Sequence, residues 1–146
     1  MQWVELAKEA IFKTLEKMFY TMPELDSSGE DPSYKGKNKI TSHIKLSGDN
    51  SKIFIVITLS EPSAYQMAAD FMGTIVDKIK REDVEDCLKE LANMVGGYCL
   101  GSAGGKYMLS LPQIGNPEEL KKVEQCQSFP LFVLGEKLGE VTVCVL

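Results

Sequence analysis

Apolar residues recur at helical spacing near the start of the chain. Val4, Ala7 and Ile11 share one face, and charged residues lie between them. This period predicts an amphipathic helix over 3–21. We expect Pro23 to end that helix, because a proline ring cannot continue it.

The segment 24–38 that follows is polar and rich in glycine, serine and proline, so we expect a loop or a mobile flap there. Beyond it, β-branched runs bounded by turn residues predict strands, and longer runs of helical period predict helices. The predicted strands are 40–46, 53–59, 107–111, 129–134 and 138–146. A short helix is predicted to begin near Ser60, and a longer one to run from Arg81 to about Leu100. These elements predict one α+β domain over 1–146, with helices packed on a mostly antiparallel sheet.

Composition and charge narrow the class of protein. Hydrophobic residues make up 44% of the 146 residues and charged residues 25%, as in an ordinary globular domain. The net charge of -5 argues against nucleic-acid binding, which needs a concentrated basic surface. No stretch approaches the ~20 apolar residues of a membrane span, and the N-terminus does not resemble a signal peptide. We therefore expect a cytoplasmic protein that binds neither nucleic acid nor membrane.

Residues that support metal or nucleophile chemistry are sparse. The four cysteines Cys87, Cys99, Cys126 and Cys144 are widely spaced, without a CxxC pair. We expect small buried thiols there, rather than disulfides or zinc ligands. His43 is the only histidine and lies in a predicted strand, where we expect a structural role. No metal site is therefore predicted in this chain.

Two further patterns are expected to be structural. The segment 101–106 is rich in glycine and ends in lysine, but it follows a helix and lacks the hydroxyl residue of a phosphate-binding loop. We expect it only to end the helix. Methionines on predicted core faces are expected mainly to fill the core, and these are Met18, Met22, Met67, Met72, Met94 and Met108.

The helix predicted from Arg81 carries a polar ridge. At 100° per residue, Asp86, Glu90 and Asn93 lie within about 60° of one another, and Gly97 continues their line. Apolar residues occupy the opposite side. A glycine inside a helix costs about 1 kcal/mol relative to alanine, so a role other than helix stability is expected for Gly97. Polar residues also occupy the solvent face of any surface helix, so the wheel alone leaves the function open.

The spacing Asp86-xxx-Glu90-xx-Asn93, followed by Gly96-Gly97, resembles the signature of the CheC/CheX/FliY family of CheY-phosphate phosphatases. The order of the predicted elements also resembles a CheX domain over almost the entire chain. The resemblance therefore implies a CheX-like fold.

Two features depart from the family pattern. Pro112 follows the asparagine at a shorter distance than in the fuller form of the signature. CheC and FliY carry a second copy of the signature, but here Phe12 and Phe19 stand at the Asp/Ser and Asn positions around Glu16. A single site per chain is the CheX arrangement.

The resemblance implies that the protein dephosphorylates a CheY-like response regulator, which carries its phosphoryl group on an aspartate. Asn93 would place the attacking water, and Glu90 would pair with the active-site lysine of the regulator. Asp86 and Gly97 are expected to contact the partner. The chain itself is expected to need no cofactor, since Mg²⁺ belongs to the receiver domain of the partner. The resemblance also implies a homodimer joined through the sheets.

Two other functions stay open at this point. A non-catalytic module that binds a receiver domain or a flagellar switch component would share the fold and the docking face. The presence of both Glu90 and Asn93 favours the enzyme, because a pure binder has no evident need for the pair. A small-ligand sensor of similar size is disfavoured, because the sequence shows no convergent polar pocket.

Overall fold

An antiparallel sheet forms the centre of the molecule. The computed structural model describes residues 2–26, 29–122 and 125–146. The strands are β1 (Lys39–Ser47), β2 (Lys52–Ser60), β3 (Met108–Leu109), β4 (Gln113–Ile114), β5 (Cys126–Val133) and β6 (Glu136–Val145). Their order is β3-β1-β2-β6-β5, and β4 also pairs with β1. Every pairing is antiparallel.

The two hairpins of this sheet follow from local sequence. In the first, Lys39 pairs with Ser60 and Ser47 pairs with Lys52, and the Gly48 N–H donates to the Ser51 carbonyl at 2.8 Å. Strand β2 is β-branched along most of its length because both of its faces are buried. The C-terminal hairpin places β6 beside β2, so β2 is hydrogen-bonded on both sides.

Helices cover one face of the sheet. They are α1 (Gln2–Phe19), α3 (Glu61–Met72) and α4 (Arg81–Ser102). The short helix α2 (Pro32–Lys35) contacts β6, and 3-10 turns lie at Val76–Lys78 and Glu118–Lys122. The main core lies between α1, α3, α4 and the sheet. A smaller cluster on the opposite face joins Phe54, Val56 and Cys144 to Leu120. The predicted α+β domain with helices on a mostly antiparallel sheet is therefore confirmed.

The segments 24–38 and 107–122 differ in detail from the sequence prediction. The predicted loop holds the short helix α2, where the Asp31 carboxylate accepts hydrogen bonds from Ser33. The strand predicted over 107–111 is only two residues long, and β4 forms within the stretch predicted to be polar and irregular. Both short strands pair with β1, and Pro112, which has no N–H to donate, lies between them.

The prediction for the cysteines is half wrong. Cys126 and Cys144 form a disulfide, since the register of β5 and β6 places them directly opposite each other with their Cα atoms 4.2 Å apart. Their separation of 18 residues gave no sign of this pairing in the sequence. Cys87 and Cys99 are free and buried, as predicted.

Two contacts hold the N-terminal helix against the rest of the molecule. The indole of Trp3 lies edge-to-face on the ring of Tyr107, with centroids 5.3 Å apart. The hydroxyl of Tyr98 donates a hydrogen bond of 2.7 Å to the Glu9 carboxylate. Together these contacts bind α1 to the end of α4 and to the segment after it.

His43 has the structural surroundings expected of it. The residue is buried in β1, and its Nδ1 lies 2.7 Å from the carbonyl oxygen of Gly115. Donation from Nδ1–H to this carbonyl holds the end of β4 against β1. Across the described ranges, no helix is long and apolar enough to cross a membrane.

Candidate functional site

The polar ridge lies on α4, whose buried side is fixed in the core. Val84, Leu88, Leu91 and Val95 are fully buried, as the helical period predicts. At the start of the helix, the Asp83 carboxylate accepts a hydrogen bond of 2.9 Å from the backbone N–H of Lys80. This cap satisfies a backbone donor at the helix start.

Two contacts with the sheet anchor α4 on either side of Glu90 and Asn93. The buried hydroxyl of Ser42 donates to the Leu88 carbonyl at 3.0 Å. Further along the helix, a Cβ on Gly96 would lie 2.8 Å from a Leu109 methyl carbon and 3.0 Å from one of Ile44. Helix and sheet can therefore meet closely at Gly96 only because that residue has no side chain. The segment between the two anchors carries Glu90 and Asn93, the two central residues of the ridge.

The ridge itself faces solvent. Asp86, Glu90 and Gly97 are exposed and Asn93 is half-buried, which agrees with the helical wheel. Among the residues that the structure describes, none makes a hydrogen bond or ion pair with the side chain of Asp86, Glu90 or Asn93. A Cβ on Gly97 would meet nothing within 4 Å. The ridge is therefore an open surface with unused polar groups.

Gly96 and Gly97 have different surroundings. Gly96 faces the sheet and is required for packing, whereas Gly97 faces solvent and has no packing requirement. The sequence analysis assigned the outward position to Gly97 but gave no packing reason for Gly96, because that reason depends on side chains of β1 and β3.

The buried cysteines of α4 offer no nucleophile. Desolvation raises the pKa of the Cys87 thiol to about 12, and the negative charge of Glu90 adds to the effect. Burial likewise raises the pKa of Cys99 to about 12, with Glu9 as the second cause. Both thiols remain protonated near neutral pH, and the thiolate is the reactive form of cysteine.

An open groove of about 320 Å³ lies beside the ridge, between α1 and α4. It is lined by Lys13, Thr14, Lys17, Met18, Met94 and Tyr98. This groove could not be predicted from the sequence, because only the docking of α1 against α4 brings the six residues together. The prediction that Met18 fills the core is wrong, since 40% of that residue is exposed; Met22, Met72 and Met108 are exposed as well.

The first helix shows no second ridge of this kind. Phe19, at the position of the asparagine, is buried and stacks on the ring of Phe71 with centroids 5.2 Å apart. Phe12, at the other signature position, is half-buried, and Glu16 alone of the three is exposed. The structure thus supports a single signature helix in this chain.

The arrangement suits another protein more than a small molecule. The ridge is an exposed helix surface, and its residues do not line the cavity of about 390 Å³ that lies around Lys37, Glu61 and Tyr65. The same ranges contain no group of three or more His, Cys, Asp or Glu residues placed to hold a metal ion.

Comparison with known proteins adds a family and a fold. A family model described as chemotaxis phosphatase CheX matches residues 40–134. The chemotaxis protein CheX from Vibrio vulnificus is similar in structure, with a TM-score of 0.76 and 15% sequence identity, over 100% of this chain and 97% of that one. No curated protein sequence matches this chain.

Two other solved structures share the fold. One is the CheX-CheY-BeF3-Mg complex from Borrelia burgdorferi, with a TM-score of 0.71, 15% identity and coverage of 98% of this chain and 97% of that one. The other is FliY from Thermotoga maritima, with a TM-score of 0.58, 10% identity and coverage of 96% and 86%. At these identities the likeness establishes the fold.

Proposed function

Because the chain belongs to the CheX family of chemotaxis phosphatases, we propose that it removes the phosphoryl group from the aspartate of a phosphorylated CheY-like response regulator. One observation carries the proposal: Glu90 and Asn93 lie about one turn apart, solvent-facing and unpartnered within the described residues, on a helix anchored at Leu88 and Gly96. The CheX-CheY complex of the Borrelia relative supports a partner of this kind.

The reaction needs a water placed in line with the scissile bond. Attack of the water oxygen on phosphorus breaks the bond between phosphorus and the aspartate oxygen, which leaves a free carboxylate and inorganic phosphate. The proton of the water passes to the phosphate product or to solvent. Such reactions depend mainly on positioning and charge neutralisation, and the Mg²⁺ of the receiver domain supplies part of the latter.

Asn93 is suited to hold that water. A neutral amide both donates and accepts hydrogen bonds, and it adds no negative charge beside a phosphoryl group. Its position on an anchored helix limits the freedom of the side chain before the partner binds. We therefore assign the catalytic role to Asn93.

Glu90 is suited to hold the partner in place. A carboxylate aimed at the phosphoryl group would be repelled, so Glu90 is assigned to the active-site lysine of the receiver, as a charge-assisted hydrogen bond. Asp86 lies one turn earlier on the same ridge and is assigned to the edge of the contact. The open space over Gly97 allows the backbone of the partner to approach α4 there.

The test follows the loss of phosphate from a phosphorylated receiver domain with no addition, with wild type and with Asn93→Ala. We expect wild type to accelerate the loss and Asn93→Ala to be slower by about 100-fold or more, as for other single polar groups that act in the transition state. The variant should fold and bind normally, because Asn93 is not in the core and alanine favours the helix.

Two results would contradict the proposal in different ways. If Asn93→Ala is as active as wild type, the mechanism built on this helix is wrong. If wild type binds phosphorylated receivers and accelerates none of them, the protein is a non-catalytic receiver-binding or switch-binding module of the same fold.

A further inference from the structure

We propose that the groove between α1 and α4 is a second contact area for the phosphorylated receiver, and that it takes an apolar side chain of the receiver next to a carboxylate. This inference rests on the proposed function, because the receiver domain is its occupant. It adds to the ridge a surface that determines which receivers bind well.

The groove is continuous with the ridge. Glu90, Met94 and Tyr98 are four residues apart in turn, so they form one row along α4 that turns gradually toward α1. Met94 also directly follows Asn93 in the chain, and Tyr98 directly follows Gly97. A protein that engages Glu90 and Asn93 therefore reaches the groove without leaving the helix.

Much of the lining of the groove is apolar. Met18 is 40% exposed on α1, and it lines the groove together with Met94 and the ring of Tyr98. Methionine side chains are flexible and polarisable, and they adapt to the shape of an inserted apolar group. A groove of about 320 Å³ accommodates one such side chain.

Two lysines of α1 complete the lining, and one of them is paired with an acidic residue. Lys13 Nζ lies 3.3 Å from the Glu9 carboxylate and 5.4 Å from the centroid of the Tyr98 ring. Since Tyr98 also donates a hydrogen bond to Glu9, the three side chains form a small network at the groove. Within the part of the chain that the structure describes, Lys17 has no acidic partner, so its charge is available to a ligand.

The charges of the ridge and the groove complement those of a receiver domain. The phosphorylation site of a receiver domain combines an anionic phosphoryl group with the carboxylates that hold Mg²⁺. The ridge offers carboxylates to the lysine of that site, and the adjoining groove offers lysines to its acidic surroundings. Such a pairing of opposite charges on neighbouring areas fixes orientation and speeds association.

A second copy of this chain fits the groove poorly. A symmetric dimer places the same patch of both chains in contact with itself. Such an interface would bring Lys13 and Lys17 of both chains into one contact area, and like charges brought together at an interface are unfavourable. The receiver is therefore the better occupant of the groove.

The test measures the affinity for a receiver domain loaded with beryllofluoride and Mg²⁺, which stands in for the phosphorylated form. Lys17→Glu and Met18→Glu are compared with wild type. Lys35→Glu, at an exposed lysine of α2 outside the groove, is the control with the same charge change as Lys17→Glu. We expect each groove variant to raise the Kd about tenfold or more, and the control to leave it unchanged. In turnover assays the effect should appear in KM.

Each outcome decides the inference. It is wrong if both groove variants bind as wild type does while Glu90→Lys binds weakly, and the proposed function then stands. It is also wrong if the groove variants disrupt self-association and leave receiver affinity unchanged.

If wild type binds receivers without hydrolysing the phosphorylated form, the proposed function fails. The receiver affinities of the groove variants then still decide whether the groove is a contact area. If no receiver binds to wild type, the proposed function and the inference about the groove both fail. A groove variant that does not unfold cooperatively is set aside, and the other decides.

Discussion

Glu90 and Asn93 lie about one turn apart on α4, and their different chemistry separates binding from turnover. The carboxylate is suited to a cation and the amide to a water molecule, so under the proposed function the two side chains would serve different steps of one reaction. Both face solvent and neither has a partner among the described residues. Substitutions at the two positions are therefore expected to give different kinetic signatures.

Replacement of Glu90 by lysine should act on binding. Glu90→Lys turns an attraction to the lysine of the receiver into a repulsion, and we expect the Kd for a phosphorylated receiver to rise about tenfold or more. Isothermal titration calorimetry with a beryllofluoride-loaded receiver measures the change. Glu118→Lys, in the 3-10 turn that packs over the opposite face of the sheet, is the matched control. Equal affinities for Glu90→Lys and wild type would mean that Glu90 does not face the cation.

The outward direction of the ridge side chains could be predicted from the sequence, because it depends only on the helical period. The same period correctly placed Val84, Leu88, Leu91 and Val95 in the core. The exposure of Met18 and the groove around it could not be predicted in this way. They depend on how closely α1 approaches α4, and the pattern of one helix does not contain that information.

At the scale of the element, α4 depends on β1 for its position. The Ser42 hydroxyl and the Ile44 side chain, both from β1, contact the helix on either side of Glu90 and Asn93. The close approach at Gly96 brings the helix axis nearer to the sheet than any side chain there would allow. The position of the ridge therefore depends on strand β1 and on Gly96.

Gly96 and Gly97 provide a matched pair to test this dependence. Gly96→Val should destabilise the protein by about 1–3 kcal/mol, because its methyl groups meet Leu109 and Ile44. Gly97→Val should leave stability nearly unchanged, because its surroundings are open and valine is no worse than glycine in a helix. Urea unfolding monitored by circular dichroism measures both. Equal stabilities of Gly96→Val and Gly97→Val would contradict the packing role of Gly96. A receiver affinity of Gly97→Val equal to that of wild type would contradict the close approach of the partner's backbone at Gly97.

Long elements could be predicted from the sequence better than short ones. The two hairpins and the helices α1, α3 and α4 carry repeated apolar periods, and their centres lie where those periods predict. Strands β3 and β4 have two residues each, too few for a period. They exist because β1 offers an unpaired edge, so their position is set by the tertiary structure.

At the scale of the whole molecule, the disulfide links the ends of the C-terminal hairpin. Reduction should lower the free energy of unfolding by about 3 kcal/mol, the chain-entropy value for a loop of this length. Urea unfolding with and without a reductant tests this, and Cys126→Ser, which lacks the disulfide, should not respond to the reductant. Cys87 and Cys99 should resist alkylation in the native state, because both are buried with raised pKa values. Identical unfolding curves for reduced and oxidised wild type would contradict the expected stabilisation by the disulfide.

The assembly of the protein stays a prediction that solution measurements can test. Strand β5 lies at one edge of the sheet, and among the described residues Glu24 covers only its end by pairing with Phe132. An open strand edge favours pairing with another chain. We predict a symmetric dimer joined through the sheets, with the ridge on α4 left free. Light scattering that shows a monomer at working concentrations would remove this prediction and leave the catalytic proposal intact.

The fold class could be predicted from the sequence, whereas the arrangement of the sheet could not. Separate runs of helical and strand periods indicate an α+β domain, but they do not place β6 beside β2. The disulfide depends on that arrangement as well, since only the register of β5 and β6 brings Cys126 opposite Cys144.

The contact between Trp3 and Tyr107 also gives the molecule an optical reporter. Trp3 is the only tryptophan of the chain, so its fluorescence comes from one known place. It is half-buried against Tyr107 in the first turn of α1, the helix whose far end forms a wall of the groove. Separation of α1 from α4 would expose the indole to water and shift its emission to longer wavelength. Movement of the N-terminal helix can therefore be followed without any attached dye.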